Sequence, residues 1–78
     1  MNKDNFYRDL GRKLHDCRLQ RNISYDEIPD KTPHATLTVM RMEEGKALKN
    51  FRLINLKAYC DSLNFDMEIN LIPKEQTP

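Results

Sequence analysis

The spacing of apolar residues changes once along this chain, and that change restricts the fold. Up to residue 63 the apolar residues recur every three or four positions, which is the period of an amphipathic helix. Only in the segment DMEINLIP, residues 66–73, do they alternate with polar residues, as in a half-buried strand. The sequence therefore predicts a mainly α-helical chain with one short β-strand near its C-terminal end.

A lone strand has no partner within its own chain. Unpaired backbone N–H and C=O groups leave such a strand unstable, so the economical solution is pairing with the same strand of a second copy. We therefore expect a homodimer, with Met67, Ile69 and Leu71 at the dimerisation strand. The alternative is that this segment packs as an extended arm on its own core.

Four helical segments are predicted before the strand. The first covers about 3–21, where Gly11 indicates a close crossing by another helix and Asn22 is a plausible terminator. The second is short and begins with a capping box formed by Ser24 and Glu27. Lys31 to Pro33 end it in a turn.

The third and fourth segments are also bounded by residues that end helices. The third runs from about 34 or 35 to 44, and Gly45 is its natural C-cap. The fourth covers about 50–62, with Asn64 as its stop residue. Its predicted apolar face holds Leu53, Leu56, Cys60 and Leu63, flanked by Phe51, Ile54 and Tyr59. The resulting organisation is a helical domain at 1–64, a dimerisation strand at 65–73 and a flexible tail at 74–78.

Length and charge limit the classes of function. The 78 residues allow one domain, and 13 basic against 12 acidic residues give a net charge of +1. Any contact with nucleic acid must therefore come from local placement of charge. No apolar run is long enough to span a membrane, and the N-terminus lacks the apolar stretch of a signal peptide. A cytoplasmic protein is the simplest interpretation.

The residues that carry chemistry are few. The sequence has no Gly-rich phosphate loop and no nucleophile motif, and neither His15 nor His34 has neighbours at metal-ligand spacing. We therefore predict no enzyme activity, no metal and no cofactor. Cys17 and Cys60 both fall on predicted apolar faces. Buried reduced thiols are the default for such positions, and a disulfide between the first and fourth helices is the alternative.

The two short helices and their tight turn resemble a known motif. Residues 24–45 read SYDEIPDKTPHATLTVMRMEEG, which resembles the helix-turn-helix of the Cro and lambda-repressor-like (XRE) family, with no insertion or deletion. The family pattern is roughly S-Q-E-E-L-A-x-x-L-G-V-S-x-x-x-I-S-R-x-E-x-G. The matching residues are Ser24, Glu27, Ile28, Val39, Arg41, Glu43 and Gly45. The upstream LGRKLHDCRLQRNIS also looks like the family's first helix, so the resemblance covers about 8–64. It implies a lambda-repressor-like domain of four to five helices.

This chain departs from the family pattern at the turn. Tyr25 stands where the family usually has Gln, and Pro29 stands where it has a small Ala. Thr32, Pro33 and His34 replace a buried Leu, a flexible Gly and a buried Val. We therefore expect the turn to differ from the family average.

The resemblance implies that the second short helix reads DNA. Its core side would hold Val39 and Met42. Its outward side would place four residues against base edges in the major groove, where Arg bonds guanine and apolar groups touch the thymine methyl. These residues are Thr36, Leu37, Met40 and Arg41. The alternative is that outward Leu and Met pack on another protein or are simply tolerated.

The resemblance also assigns residues around that helix. Lys46, Lys49 and Arg52 would contact phosphates, or else form a solvated basic loop. Tyr25 would donate its hydroxyl to a phosphate, or else staple its own helix end. An ion pair between Arg18 and Glu43 would fix the recognition helix against the first helix.

The C-terminal strand makes the layout similar to HipB-type antitoxins, which repress their own operon and neutralise a toxin. The resemblance thus implies a dimeric repressor on a palindromic double-stranded DNA operator, with a cognate toxin as a further partner. A second hypothesis is a protein-interaction module that kept the helix-turn-helix fold and lost specific DNA binding. The near-neutral charge and the altered turn favour this second hypothesis, whereas the Arg41 match and the cluster of Lys46, Lys49 and Arg52 favour the first.

Overall fold

The computed structural model describes residues 3–74, and the side chains of residues 5–74. This part of the chain is mainly helical, as predicted, and contains no strand. Its four α-helices are α1 Lys3–Gln20, α2 Ile28–Lys31, α3 Thr36–Glu43 and α4 Leu53–Ser62. A 3₁₀ turn precedes α2 at Tyr25–Glu27, and another precedes α4 at Leu48–Asn50. No helix of the described part is long and apolar enough to cross a membrane.

Helices α1, α3 and α4 end with the same backbone motif. The second residue after each helix lies in the left-handed region, at φ 58° for Asn22, 80° for Gly45 and 63° for Asn64. The next amide then donates to the carbonyl five positions earlier, which is the Schellman arrangement. These bonds join Ile23 to Arg18 at 3.2 Å, Lys46 to Arg41 at 3.0 Å and Phe65 to Cys60 at 2.9 Å. The stop residues predicted from the sequence therefore end these helices.

The start of the second helical segment also lies where the sequence predicts it. The Glu27 carboxylate accepts the Ser24 backbone N–H at 3.0 Å and the Ser24 hydroxyl at 3.1 Å. The bond from the Ser24 backbone, with Lys31 nearby, lowers the pKa of Glu27 to about 2. Pro29 lies in the first turn of α2, where its missing N–H leaves no helical hydrogen bond unmade.

One hydrophobic core lies between α1, α3 and α4. Val39 and Met42 of α3 are fully buried in it. The Leu48 side chain, which lies between the exposed Lys46 and Lys49, is buried there too. The remaining buried apolar residues are Leu14, Ile23, Ile28, Leu56, Tyr59 and Leu63.

The apolar face of α4 differs from the prediction. Leu53, placed on that face, is 56% exposed, whereas Tyr59, placed at its flank, is fully buried. At 100° per residue the buried direction of α4 passes through Leu56, Tyr59 and Leu63. Leu53 lies at the edge of this arc and at the first residue of the helix, so the core does not reach it.

The turn between α2 and α3 is built from the residues that depart from the family pattern. The buried Thr32 hydroxyl donates to the carbonyl of Ile28 at 2.9 Å and accepts the His34 amide at 3.2 Å. The His34 ring packs against Phe51 and Tyr59, with centroids 5.3 and 5.7 Å away. Hydrogen bonds and ring contacts thus hold this turn.

The segment after α4 runs without regular structure to the end of the described chain. Met67 packs against the core, while Leu71 and Ile72 are 91% and 84% exposed. The strand predicted at 65–73 has no pairing partner within residues 3–74. The radius of gyration is 13.9 Å, against about 11.5 Å for a compact domain of this length. Beyond Lys74 the predicted tail lies outside the described residues.

We expect Tyr59→Phe to leave stability unchanged or to raise it by up to about 1 kcal/mol, because a buried polar group without a partner is costly. The Tyr59 hydroxyl is buried and has no hydrogen-bond partner among the described residues, and this burial raises its pKa. Urea unfolding at neutral pH measures the effect. Tyr25→Phe is the control, and it should destabilise because that hydroxyl bonds a carboxylate at 2.7 Å. A clear loss of stability in Tyr59→Phe would show that the Tyr59 hydroxyl does have a hydrogen-bond partner.

Candidate nucleic-acid interface

Helix α3 presents one face to the core and the opposite face to solvent. Opposite the buried Val39 and Met42, Leu37 is 56% and Met40 is 40% exposed, and Arg41 is exposed beside them. The Arg41 side chain makes no ion pair within 4 Å among the described residues. The structure therefore brings these three predicted site residues together on one accessible surface.

Thr36, the fourth predicted base-contacting residue, lies at the start of α3 and is partly buried. Its hydroxyl donates to the backbone carbonyl of Tyr25 at 2.9 Å. This bond connects the first residue of α3 to the 3₁₀ turn before α2. Its hydroxyl proton is used within the protein, which leaves the methyl group and the oxygen lone pairs for any outside contact.

A buried ion pair holds the inner side of α3 against α1. Arg18 Nε donates to Glu43 Oε2 at 2.7 Å, and Arg18 Nη2 donates to Glu43 Oε1 at 3.2 Å. Both side chains are only 4% exposed. The remaining guanidinium nitrogen, Nη1, donates to the carbonyl of Ile23 at 2.7 Å. The hydrogen bond to Glu43 raises the pKa of Arg18, and each of the three guanidinium nitrogens donates one hydrogen bond.

Tyr25 also contacts this ion pair. Its hydroxyl donates to Glu43 Oε1 at 2.7 Å, and the Arg18 guanidinium carbon lies 4.0 Å from the centre of its ring. The bond to Glu43 raises the pKa of Tyr25. The single hydroxyl proton of Tyr25 is given to Glu43 in this structure, and its contact with a phosphate stays a prediction.

The three basic residues predicted to meet phosphates follow α3. Lys46 lies just after Gly45 and is 3.8 Å from Glu44. Lys49 is in the 3₁₀ turn before α4, and Arg52 is at the N-cap of α4. All three are exposed. Lys46 and Lys49 line one surface depression, whereas nothing in the structure joins Arg52 to it.

Both glycines of the chain lie where α1 meets the end of α3. A Cβ atom on Gly11 would lie 2.5 Å from the Met42 carbonyl oxygen and 2.6 Å from that of Glu43. A Cβ atom on Gly45 would lie 2.9 Å from the Arg8 Cα. The close crossing predicted at Gly11 is therefore made by α3, and the depth of this contact fixes how far α3 stands from α1.

Sequence reasoning missed two arginines beside this surface. Arg8 and Arg12 of α1 line an open cleft together with Met40 and Lys46. The available signal was the spacing of four between the two arginines, with His15 three residues further on, because this spacing places all three on one side of the helix.

A third arginine, Arg21, gave no such signal in the sequence. Its guanidinium donates to the Leu63 carbonyl at 3.0 Å and to the next carbonyl at 2.8 Å, at the C-terminal end of α4.

No family model matches this chain, and no curated protein matches it.

We expect Arg18→Met to destabilise the protein by about 3–5 kcal/mol, because it leaves the Glu43 carboxylate buried and unpaired. The double variant Arg18→Met with Glu43→Met should recover most of that loss. Urea unfolding of both single variants and of the double variant measures the coupling. Glu43→Gln is the milder variant if Arg18→Met does not fold. Costs that simply add in the double variant would show that the pair is not coupled.

Proposed function

We propose that this chain is a sequence-specific, double-stranded DNA-binding transcriptional regulator of the Cro and lambda-repressor-like type. In this proposal α2 and α3 form the helix-turn-helix, and α3 is the recognition helix. The proposal rests on the sequence pattern of residues 24–45 together with the surface that α3 presents. The regulator would act as a repressor of transcription.

The outward face of α3 is the observation that carries the proposal. A cation and two apolar side chains are exposed on a short helix whose inner side is held by a buried ion pair. This combination suits a helix that enters a major groove, because Arg41 can bond a guanine edge while Leu37 and Met40 meet thymine methyl groups. The fixed position of α3 on α1 lowers the entropy lost on binding.

Basic residues next to α3 would supply affinity that is independent of sequence. Lys46 and Lys49 are exposed and line one depression at the end of α3. Contacts of such residues to phosphates set the register of a protein on the duplex. Arg52, exposed at the start of α4, would add a further contact.

Two copies would be joined through the segment after α4. Of the three predicted dimerisation residues, Ile69 is 57% and Leu71 is 91% exposed, whereas Met67 packs against the core. Pairing with the same segment of a second chain would cover these side chains and bond their backbone groups. The dimer would present two recognition helices to a palindrome whose half-sites lie about one helical turn apart. By the likeness to HipB-type antitoxins, the regulator would also bind a cognate toxin and repress its own operon.

We expect selection from random double-stranded DNA to enrich a palindrome, with affinity falling steeply as salt rises, because bound phosphates release counterions. Arg41→Ala should relax base preference at one position of each half-site, at about 1–3 kcal/mol. Lys49→Ala should weaken binding about equally on all sequences. Lys57→Ala is the control, since Lys57 pairs with Asp61 on α4.

Absence of enrichment at low salt would contradict the proposal. It would instead support a protein-interaction module that uses the exposed Leu37 and Met40 as contact residues.

We expect the chain to have the mass of a dimer in solution at micromolar concentration. Ile69→Asp with Leu71→Asp should give a monomer of unchanged helicity, because the charges would be desolvated in a paired strand. Asp66→Asn with Glu68→Gln, on the alternate positions, is the matched control and should stay dimeric. Light scattering and circular dichroism measure the two properties. A wild-type monomer, or a dimer that survives the aspartates, would refute pairing through the segment after α4.

A further inference from the structure

Helix α1 carries a basic stripe beside the end of α3. Arg8, Arg12 and His15 follow one another at intervals of four and three residues, so they lie along one side of the helix. Arg8 and Arg12 are exposed. The acidic residue between them, Asp9, lies on a different side, where it shares a cleft with Phe6, Leu10 and Lys13.

The stripe and the outward face of α3 form one continuous surface. Gly45 packs on the backbone of Arg8, so the start of the loop after α3 touches the stripe directly. One cleft is lined by both arginines together with Met40 of α3 and Lys46. The neighbouring depression joins Arg8 to Lys46 and Lys49. Arg8 therefore lines both the cleft and the neighbouring depression.

Within the described part of the chain, the two arginines are available to bind an anion from outside. Neither has a carboxylate within 4 Å among residues 5–74. Of the two carboxylates in the cleft, Glu43 is neutralised by Arg18. The other, Glu44, lies 3.8 Å from Lys46. The cleft thus has more cationic than anionic side chains, although the whole chain is nearly neutral.

We propose that Arg8 and Arg12 contact the DNA phosphate backbone beside the groove that α3 enters, so that α1 is part of the DNA interface as well as of the scaffold. This inference rests on the proposed function. The two side chains begin about 5–6 Å apart on one helix face, so both can reach the same strand. They extend the basic surface of Lys46 and Lys49 across the C-terminal end of α3. They position the protein without reading base sequence.

The competing explanation is structural. Cations near the C-terminal end of α3 interact favourably with its dipole, and they offset the charge of Glu44. In that case removal of Arg8 and Arg12 would lower the stability of the protein. It would not change the number of counterions released on DNA binding.

The test compares Arg8→Gln/Arg12→Gln with a control that loses the same charge elsewhere, Lys13→Gln/Lys57→Gln. Fluorescence anisotropy gives the affinity for the selected palindrome and for an unrelated duplex at several salt concentrations. Thermal unfolding of each variant reports stability separately. Arg8→Lys/Arg12→Lys keeps both charges and should keep the wild-type salt dependence.

We expect the glutamine variant to lose affinity on the order of tenfold for both duplexes, and the negative slope of its log affinity against log salt to become shallower by about 2 per bound protomer. The control should change neither. Wild-type binding with an unchanged slope in the glutamine variant would overturn this inference and leave the proposed function standing. A lower unfolding temperature with an unchanged slope would assign the arginines to the scaffold. No DNA binding by the wild-type chain would overturn both proposals.

Discussion

The buried pair of Arg18 and Glu43 is the interaction on which the arrangement of this small domain depends. It joins α1 to the last residue of α3, and Tyr25 joins the 3₁₀ turn to the same carboxylate. Removing two charges from water is unfavourable, so the pair is no guarantee of net stability. The contribution of the ion pair is to fix the orientation of α3 on α1. A bidentate contact in which each guanidinium nitrogen donates a hydrogen bond favours one orientation of α3 on α1, where apolar packing alone would tolerate several.

Close backbone contact makes that orientation tighter. Gly11 lets the last carbonyl groups of α3 approach α1, and Gly45 lets the following loop lie on the backbone of Arg8. Any side chain at Gly11 would push α3 outward, and the ion pair would then be stretched. Arg18, Glu43 and Tyr25, together with the two glycines, thus fix the distance and the angle between α1 and α3. In this arrangement Leu37, Met40 and Arg41 are exposed on the outward face of α3.

Local features of the sequence predicted most of the fold. Asn22, Gly45 and Asn64 end helices because few residues tolerate left-handed backbone, and that signal needs no tertiary information. Features that depend on distant partners were harder to predict. The periodicity of α4 did not show that Leu53 stays exposed while Tyr59 is buried, because the direction of the core depends on where α1 and α3 lie. The outward face of α3 followed from its period, whereas the hydroxyl partner of Tyr25 depended on a carboxylate 18 positions away.

Helices α2 and α3 are short, and their length determines how the outward face of α3 can unfold. Helix α2 has four residues and α3 has eight, and isolated helices shorter than about 12–15 residues are marginal in water. Neither helix has a side-chain cap at its start. The outward face of α3 therefore exists only as part of the cooperative unit that includes α1. A change that detaches α3 from α1 would remove this whole outward face at once.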